Sequence, residues 1–275
     1  MSIAPSLYNM RVMIFNDVQN FNGSLSLLNN RFKKDEKRFW DYKKYIPFLI
    51  NKLRSLQDFN NINFTLIKAF FYQGSYSNNL IKNFKWSCHQ KINKINQLIS
   101  KEQYLLNIIS QSKVSNILRK KVNSHVEKIK EDLVKENAEL YFYIEKQERN
   151  FEGQKKFLKE LENNPIIEIK STPLKQSDGE VYQKGIDVLL AIDLVHLAHI
   201  DAYDVAIILS GDTDLIEAVK LVKSLGKTII IFAYHTSGDP EKSNISDLMT
   251  YGKFINLKDL TNEEIGEMSK LRVKE

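Results

Sequence analysis

Short unbroken apolar runs alternate with amphipathic stretches over both ends of the chain. Val205-Ala206-Ile207-Ile208-Leu209 holds five apolar residues without alternation and stops at Ser210-Gly211-Asp212-Thr213-Asp214. A run of that kind, ended by a turn, predicts a strand buried on both faces. Leu215 to Val222 follows with apolar residues at helical spacing. The buried-strand pattern recurs at Arg11–Phe15, Phe64–Tyr72 and Lys227–Ala233, while Ile166–Lys170 alternates in part and Lys253–Leu257 reads as an edge strand. Helices are expected from Phe21 towards Leu28 and over Tyr45–Leu56, Val188–Leu197 and Ile245–Thr250. Strands alternating with helices predict an α/β domain with a mostly parallel sheet.

The middle of the chain follows another rule. No glycine or proline occurs between Gly74 and Gly153. Apolar residues recur there at threes and fours, first at Ile81, Phe84, Cys88, Ile92, Ile95 and Ile99, then at Val114, Leu118, Val122, Val126, Ile129, Leu133, Leu140 and Ile144. The spacing predicts long amphipathic helices forming a coiled-coil-like antiparallel hairpin that turns near Ser110–Ser115. So narrow a stripe needs a partner helix, from the hairpin itself or from a second copy in a homodimer. The globular pattern resumes after Gly153, and Ser171–Glu180, with Pro173 and Asp178-Gly179, reads as a loop. The expected division is a discontinuous domain over 8–75 and 148–260, a basic helical insertion over 76–147, and a tail over 261–275.

Charge sharpens this division. The chain has 275 residues and a formal net charge of +6. Between Leu80 and Lys130 eleven Lys or Arg face only Glu102 and Glu127, a surplus larger than that of the whole chain. The remainder is therefore acidic, and a basic arm on an acidic body points to nucleic acid. A solvated lysine-rich helix face accounts for the charge equally well. No apolar run approaches the ~20 residues of a membrane helix, and Met1–Arg11 has no signal-peptide pattern. Cys88 is the single cysteine, without a CxxC partner. A cytoplasmic protein with no membrane partner is expected.

Carboxylates collect where strands end. Asp17 follows the first strand, Asp212 and Asp214 follow Val205–Leu209, and Asp187 opens the helix after Lys184-Gly185. In an α/β sheet such points can converge outside the carboxyl ends of the strands. Each aspartate also has a plainer use as a helix cap, but one cap explains only one member of the 212/214 pair. Clustered carboxylates repel unless protonated, paired with cations or holding a divalent ion. Oxygen-only ligands suit Mg²⁺ or Mn²⁺, and such sites hydrolyse phosphodiesters. Phosphate-cradling glycine motifs and the G-x-S-x-G elbow are absent. His196 and His199 are three apart but have no further His or Cys nearby, which argues against zinc.

Three blocks resemble the NYN domain, a branch of the PIN-like metal-dependent ribonucleases that includes LabA-like proteins. They are Val12-Met13-Ile14-Phe15-Asn16-Asp17-Val18-Gln19-Asn20, Lys184-Gly185-Ile186-Asp187 through Asp193-Leu194, and Tyr203-Asp204 through Ser210-Gly211-Asp212-Thr213-Asp214. The resemblance implies a three-layer α/β/α sandwich, here interrupted by the helical insertion, and cleavage of single-stranded or structured RNA with Mg²⁺ or Mn²⁺. Asp17, Asp187, Asp212 and Asp214 would then be the catalytic, metal-binding acids. Asn20 would assist at the first turn, and Ser210 and Thr213 would orient the acids or bind phosphate. Asp193 matches a further family acid, yet six residues beyond Asp187 is about 240° around a helix, so a supporting bond is expected of it. Lys184, Arg119, Lys120 and Lys121 are the cations expected to meet nucleic acid. Asn16 replaces a usual apolar residue, Val18 a small one, and Gly252 an acid often found before the final Phe-Ile. The alternatives are an RNA-binding or scaffold protein that kept the fold, and a nuclease acting on DNA.

Overall fold

The computed structural model describes residues 8–59, 62–113, 115–161, 164–177, 180–236 and 245–272. The chain divides into two compact units, one of residues 1–74, 164–172 and 184–275 and the other of residues 75–163 and 173–183. Among the described residues no helix is long and apolar enough to cross a membrane.

The first unit is built on the uninterrupted apolar runs. They form β1 (Tyr8–Asp17), β3 (Ile62–Ser75), β4 (Ile167–Pro173), β7 (Val205–Leu209), β8 (Thr228–Ala233) and β9 (Lys253–Asn256) of one sheet. Its order is β4-β3-β1-β7-β8-β9. The pairs β1–β3, β1–β7, β7–β8 and β8–β9 are all parallel. Every residue of β7 is buried, as its lack of alternation requires. From β1 the chain steps to β3 on one side, and later continues through β7, β8 and β9 on the other. The boundary between β1 and β7 is therefore a topological switch point, where ligands of open α/β sheets bind.

Helices cover both faces. On one side α5 (Ile186–His199), α6 (Ile216–Ser224) and α7 (Ile245–Tyr251) close over Met13, Phe15, Ala206, Ile208, Ile229 and Ile231. Phe15 is fully buried there, with Phe70 and Tyr203 rings at 5.7 and 5.6 Å. On the other side lie α1 (Val18–Leu28) and α2 (Tyr42–Arg54), where Phe21 stacks on Trp40 at 4.7 Å and meets Tyr45 edge-on. The unit is a three-layer α/β/α sandwich with a mostly parallel sheet.

Residues read as a tail contribute to this layer. Thr261 caps α8 (Asn262–Met268) through a capping box with Glu264. Ile265 and Met268 are fully buried, and α8 packs on α2. β10 (Ser269–Leu271) then pairs antiparallel with β2 (Arg38–Trp40).

In the second unit α3 (Asn78–Gln111) and α4 (Asn116–Leu161) run antiparallel, and the turn between them falls where the sequence places it. Cross-helix bonds fix the register: Lys85 pairs with Glu148 at 2.5 Å, and Asn137 Nδ2 donates to Asn96 Oδ1 at 2.9 Å. Phe84, Cys88, Ile92 and Ile144 form its buried core. The second apolar stripe thus packs on α3, with Val126 buried, although Leu118 is exposed and Val114 lies outside the described residues. Gly153 does not interrupt α4, which continues unbroken to Leu161. Part of the segment read as a loop is a small antiparallel hairpin of β5 (Lys175–Ser177) and β6 (Glu180–Tyr182), while Asp178 and Gly179 lie outside the described residues.

Phe15→Ala removes a ring from the centre of the first unit. Unfolding followed in urea is expected to show that unit destabilised by about 3–5 kcal/mol. An effect below about 1 kcal/mol would contradict the packing described.

Candidate metal centre at the β1–β7 switch

Asp17 ends β1 and caps α1. Its Oδ1 accepts from Asn20 N at 3.1 Å and its Oδ2 from Ser210 Oγ at 3.2 Å. Ser210 follows β7, is 1% exposed, and its Oγ also accepts from Asp212 N at 3.2 Å. Asn20 Oδ1 accepts from Gly211 N at 3.1 Å, tying the first turn of α1 to the turn after β7. Asp212 Oδ1 in turn accepts from Asp214 N at 2.9 Å. Capping and clustering are therefore compatible. An ionised carboxylate has about four lone-pair sites, and one capping bond leaves acceptor capacity free.

Asp187 arrives from the other chain segment. Gly185 precedes α5 with φ 81°, a left-handed conformation that glycine adopts without strain. Asp187 then falls in the first turn of α5, where the positive end of the helix dipole favours a carboxylate. Asp17, Asp187 and Asp212 each offer an oxygen, and these three oxygens lie within 4.8 Å of one another. Asp17 is 4% exposed. Burial, and then the charges of Asp187 and Asp212, push its carboxyl up to about 6. Burial and the charges of Asp212 and Asp214 raise Asp187 as well. Among the described ion pairs none brings a Lys or Arg to these three acids. Uncompensated oxygen ligands at this spacing fit a divalent ion such as Mg²⁺ or Mn²⁺.

The remaining sequence candidates are placed differently. Asp214 is exposed and lies outside the three-oxygen cluster, near enough to Asp187 to disfavour its charge. Thr213 is half-buried in the short turn that Asp212 caps. Asp193 accepts from Tyr72 Oη at 3.0 Å and faces Lys170 at 3.7 Å. Its tie to the fully buried Tyr72 of β3 anchors α5 to the sheet, and burial followed by Asp193 keeps that phenol protonated. Tyr72 and Lys170 carried no signal in the sequence, since a tyrosine ending an apolar run reads as packing. Lys184 is exposed just before Gly185. In the hairpin unit Lys120 and Lys121 are exposed, and Arg119 Nη2 donates to Ser112 O at 2.5 Å.

The departures from the family pattern have local reasons. Asn16 Nδ2 donates to the buried Tyr45 Oη at 2.8 Å, which gives a polar residue a partner inside β1. A Cβ at Gly252 would lie 3.0 Å from Ile231 Cδ1 and 3.2 Å from Ile229 Cγ2. A side chain there would require the Ile231 and Ile229 side chains to give by a few tenths of an ångström.

The raised carboxyl of Asp17 sets a pH dependence for the metal-free chain. Its folded value of about 6 exceeds the ordinary ~3.9. The stability it contributes is therefore full below the ordinary value and lost as pH rises through about 6. With chelator present, lowering the pH from about 7 to about 5 is expected to stabilise the fold by about 1 kcal/mol through this group. Asp17→Asn removes that gain, and denaturant titrations at the two pH values measure it. The same pH response in the parent chain and in the Asp17→Asn variant would contradict the assignment.

A family model described as the NYN domain matches residues 107–251. That stretch is more than half of the chain and contains Asp187, Asp193, Asp212 and Asp214. Asp17 and Asn20 precede it and reach the site through the pairing of β1 with β7. No curated protein matches the chain. Among solved structures it is similar to a protein of unknown function from Vibrio parahaemolyticus, at 13% identity and a TM-score of 0.45 over 94% of this chain and 97% of that one. The chain belongs to the NYN domain family, whose members are PIN-like, ribonuclease-type proteins.

Proposed function

We propose that the chain is a metal-dependent ribonuclease that hydrolyses RNA phosphodiester bonds at the Asp17–Asp187–Asp212 cluster. The observation that carries this reading is the convergence of those three carboxylates at the sheet's switch point without a pairing cation among the described ion pairs. Asp17, Asp187 and Asp212 would hold Mg²⁺ or Mn²⁺, and Asp214 would supply a fourth carboxylate at the exposed rim. A divalent ion held by these acids would supply an activated water and charge neutralisation at the leaving oxygen. The protein's own part is orientation. Ser210 and Asn20 N fix both oxygens of Asp17, and Asn20 Oδ1 holds the Gly211 turn against α1. Tyr72 and Asp193 set the position of α5 and hence of Asp187.

RNA is the proposed substrate because this ribonuclease-type domain is joined to a strongly basic segment. In that segment Arg119, Lys120 and Lys121 are proposed to meet phosphates, as is Lys184 in the first unit. Such contacts are electrostatic and independent of sequence.

Incubating labelled RNA with Mn²⁺ tests the reaction. Asp212→Asn and Asp17→Asn are each expected to slow cleavage by about three orders of magnitude, the effect of losing ~4 kcal/mol of charge stabilisation. Equal cleavage by the parent and both variants would mean a contaminating activity and sink the proposal. For the hairpin cations, Lys120→Ala with Lys121→Ala is expected to weaken RNA binding across sequences. The slope of log affinity against log salt should fall by about 1–2. An unchanged slope would remove these lysines from the interface.

A further inference from the structure

The face of α5 that leads away from the acids is apolar where a surface helix is usually polar. Ile186 to His199 is rich in apolar residues on all sides, a pattern normally found in enclosed helices. Yet Val188 is 62% exposed and Ile192 58% exposed. With Ala191 and Val195 of α5 and Ala218 of α6 they line a groove of about 660 Å³. Asp187 and Asp214 also line it, as do His196 and His199, and both histidines are exposed. His199 lies twelve positions after Asp187, which is roughly 18 Å of helix at ~1.5 Å per residue.

We propose that this groove receives the bases of an unpaired RNA strand running from the acid cluster along α5. The inference rests on the proposed phosphodiester chemistry, because Asp187 belongs to both the cluster and the groove. A strand whose phosphate lies at the acids and that follows α5 passes Val188 and Ile192. Phosphates lose their hydration on an aliphatic floor, whereas base faces gain by covering it. A duplex keeps its base faces stacked inside and presents phosphates outward, so an unpaired strand fits and a duplex does not. At about 3.4 Å per stacked nucleotide, the roughly 18 Å of groove takes up to about five bases. Lys184, exposed immediately before Gly185, offers a cation to the backbone at the acid end. His196 and His199 give the far end ring faces and nitrogen hydrogen-bonding groups for a base. A protein interface of ordinary size covers ~800 Å² on each partner, from roughly 20–30 residues a side, whereas ten described residues line this groove.

The test uses the full chain carrying Asp212→Asn, so that bound RNA survives. Fluorescence anisotropy at fixed salt follows a labelled single strand of about 12 nucleotides, a base-free ribose-phosphate chain of the same length, and a duplex of the same length. Val188→Ser with Ile192→Ser is expected to weaken the single strand about tenfold and leave the other two unchanged. Ile192→Trp, which adds a stacking surface, is expected to tighten single-strand binding several-fold. Equal weakening of all three ligands, or unchanged single-strand binding in the serine variant, overturns the proposal. So does a parent chain that sediments as a dimer and dissociates in the serine variant, since the groove is then an interface between copies. Absence of Mn²⁺-dependent cleavage by the parent sinks the reaction assigned to the acids but leaves base-dependent binding readable. Intact cleavage with base-independent binding sinks the groove alone.

Discussion

Convergence of three carboxylates, from the end of β1, the turn after β7 and the first turn of α5, is the constraint on which the site depends. Asp17 is nearly inaccessible to water, and two further acids offer oxygens within 4.8 Å of its own. Burial first, and then the neighbouring carboxylates, favours the protonated forms of Asp17 and Asp187. The chain holds it in place with hydrogen bonds rather than with cations. Ser210 Oγ and Asn20 N engage the two oxygens of Asp17, and Gly211 N is locked to Asn20. A cluster that is costly when empty has its cost offset when a divalent ion is bound.

The scaffold explains how distant residues arrive there. β1 and β7 are adjacent only because the chain reverses its direction of sheet growth between them, which brings residue 17 beside residue 210. Apolar burial on both faces fixes their register, so the two turns cannot slide apart without exposing Phe15 or Ile208. Asp187 depends on α5, which is seated by Ile186, Leu190 and Leu194 and tied to β3 through Asp193 and Tyr72. Core, supporting hydrogen bond and acid thus lie along one helix.

Much of this was legible from residue order because the informative signals are local. Val205–Leu209 lacks alternation and ends at two aspartates, so strand, turn and chemistry are written within about ten residues. The glycine- and proline-free stretch after Gly74 predicted a helical hairpin whose turn falls between Gln111 and Asn116. What escaped notice depends on partners far away in sequence. Arg38–Trp40 and Ser269–Leu271 are too short to show a period and form strands only by pairing with each other. Tyr72 and Asp193 are separated by 121 positions, so neither announces the other. The exposure of Val188 and Ile192 was hidden because α5 is apolar on all sides and no face stands out. Gly153 lies inside the 46-residue helix without ending it, since an interior glycine costs only ~1 kcal/mol.

Direct titration of the metal-free chain with Mn²⁺, followed by calorimetry, bears most immediately on the claim that these acids form a metal centre. Saturable binding with proton release near pH 6 is expected, because occupancy must displace protons from Asp17 and Asp187. Asp187→Asn, which removes a charge at an accessible position without touching the buried core, is expected to abolish that binding. Saturable binding that persists unchanged in Asp187→Asn, or no binding by the parent chain, would contradict it.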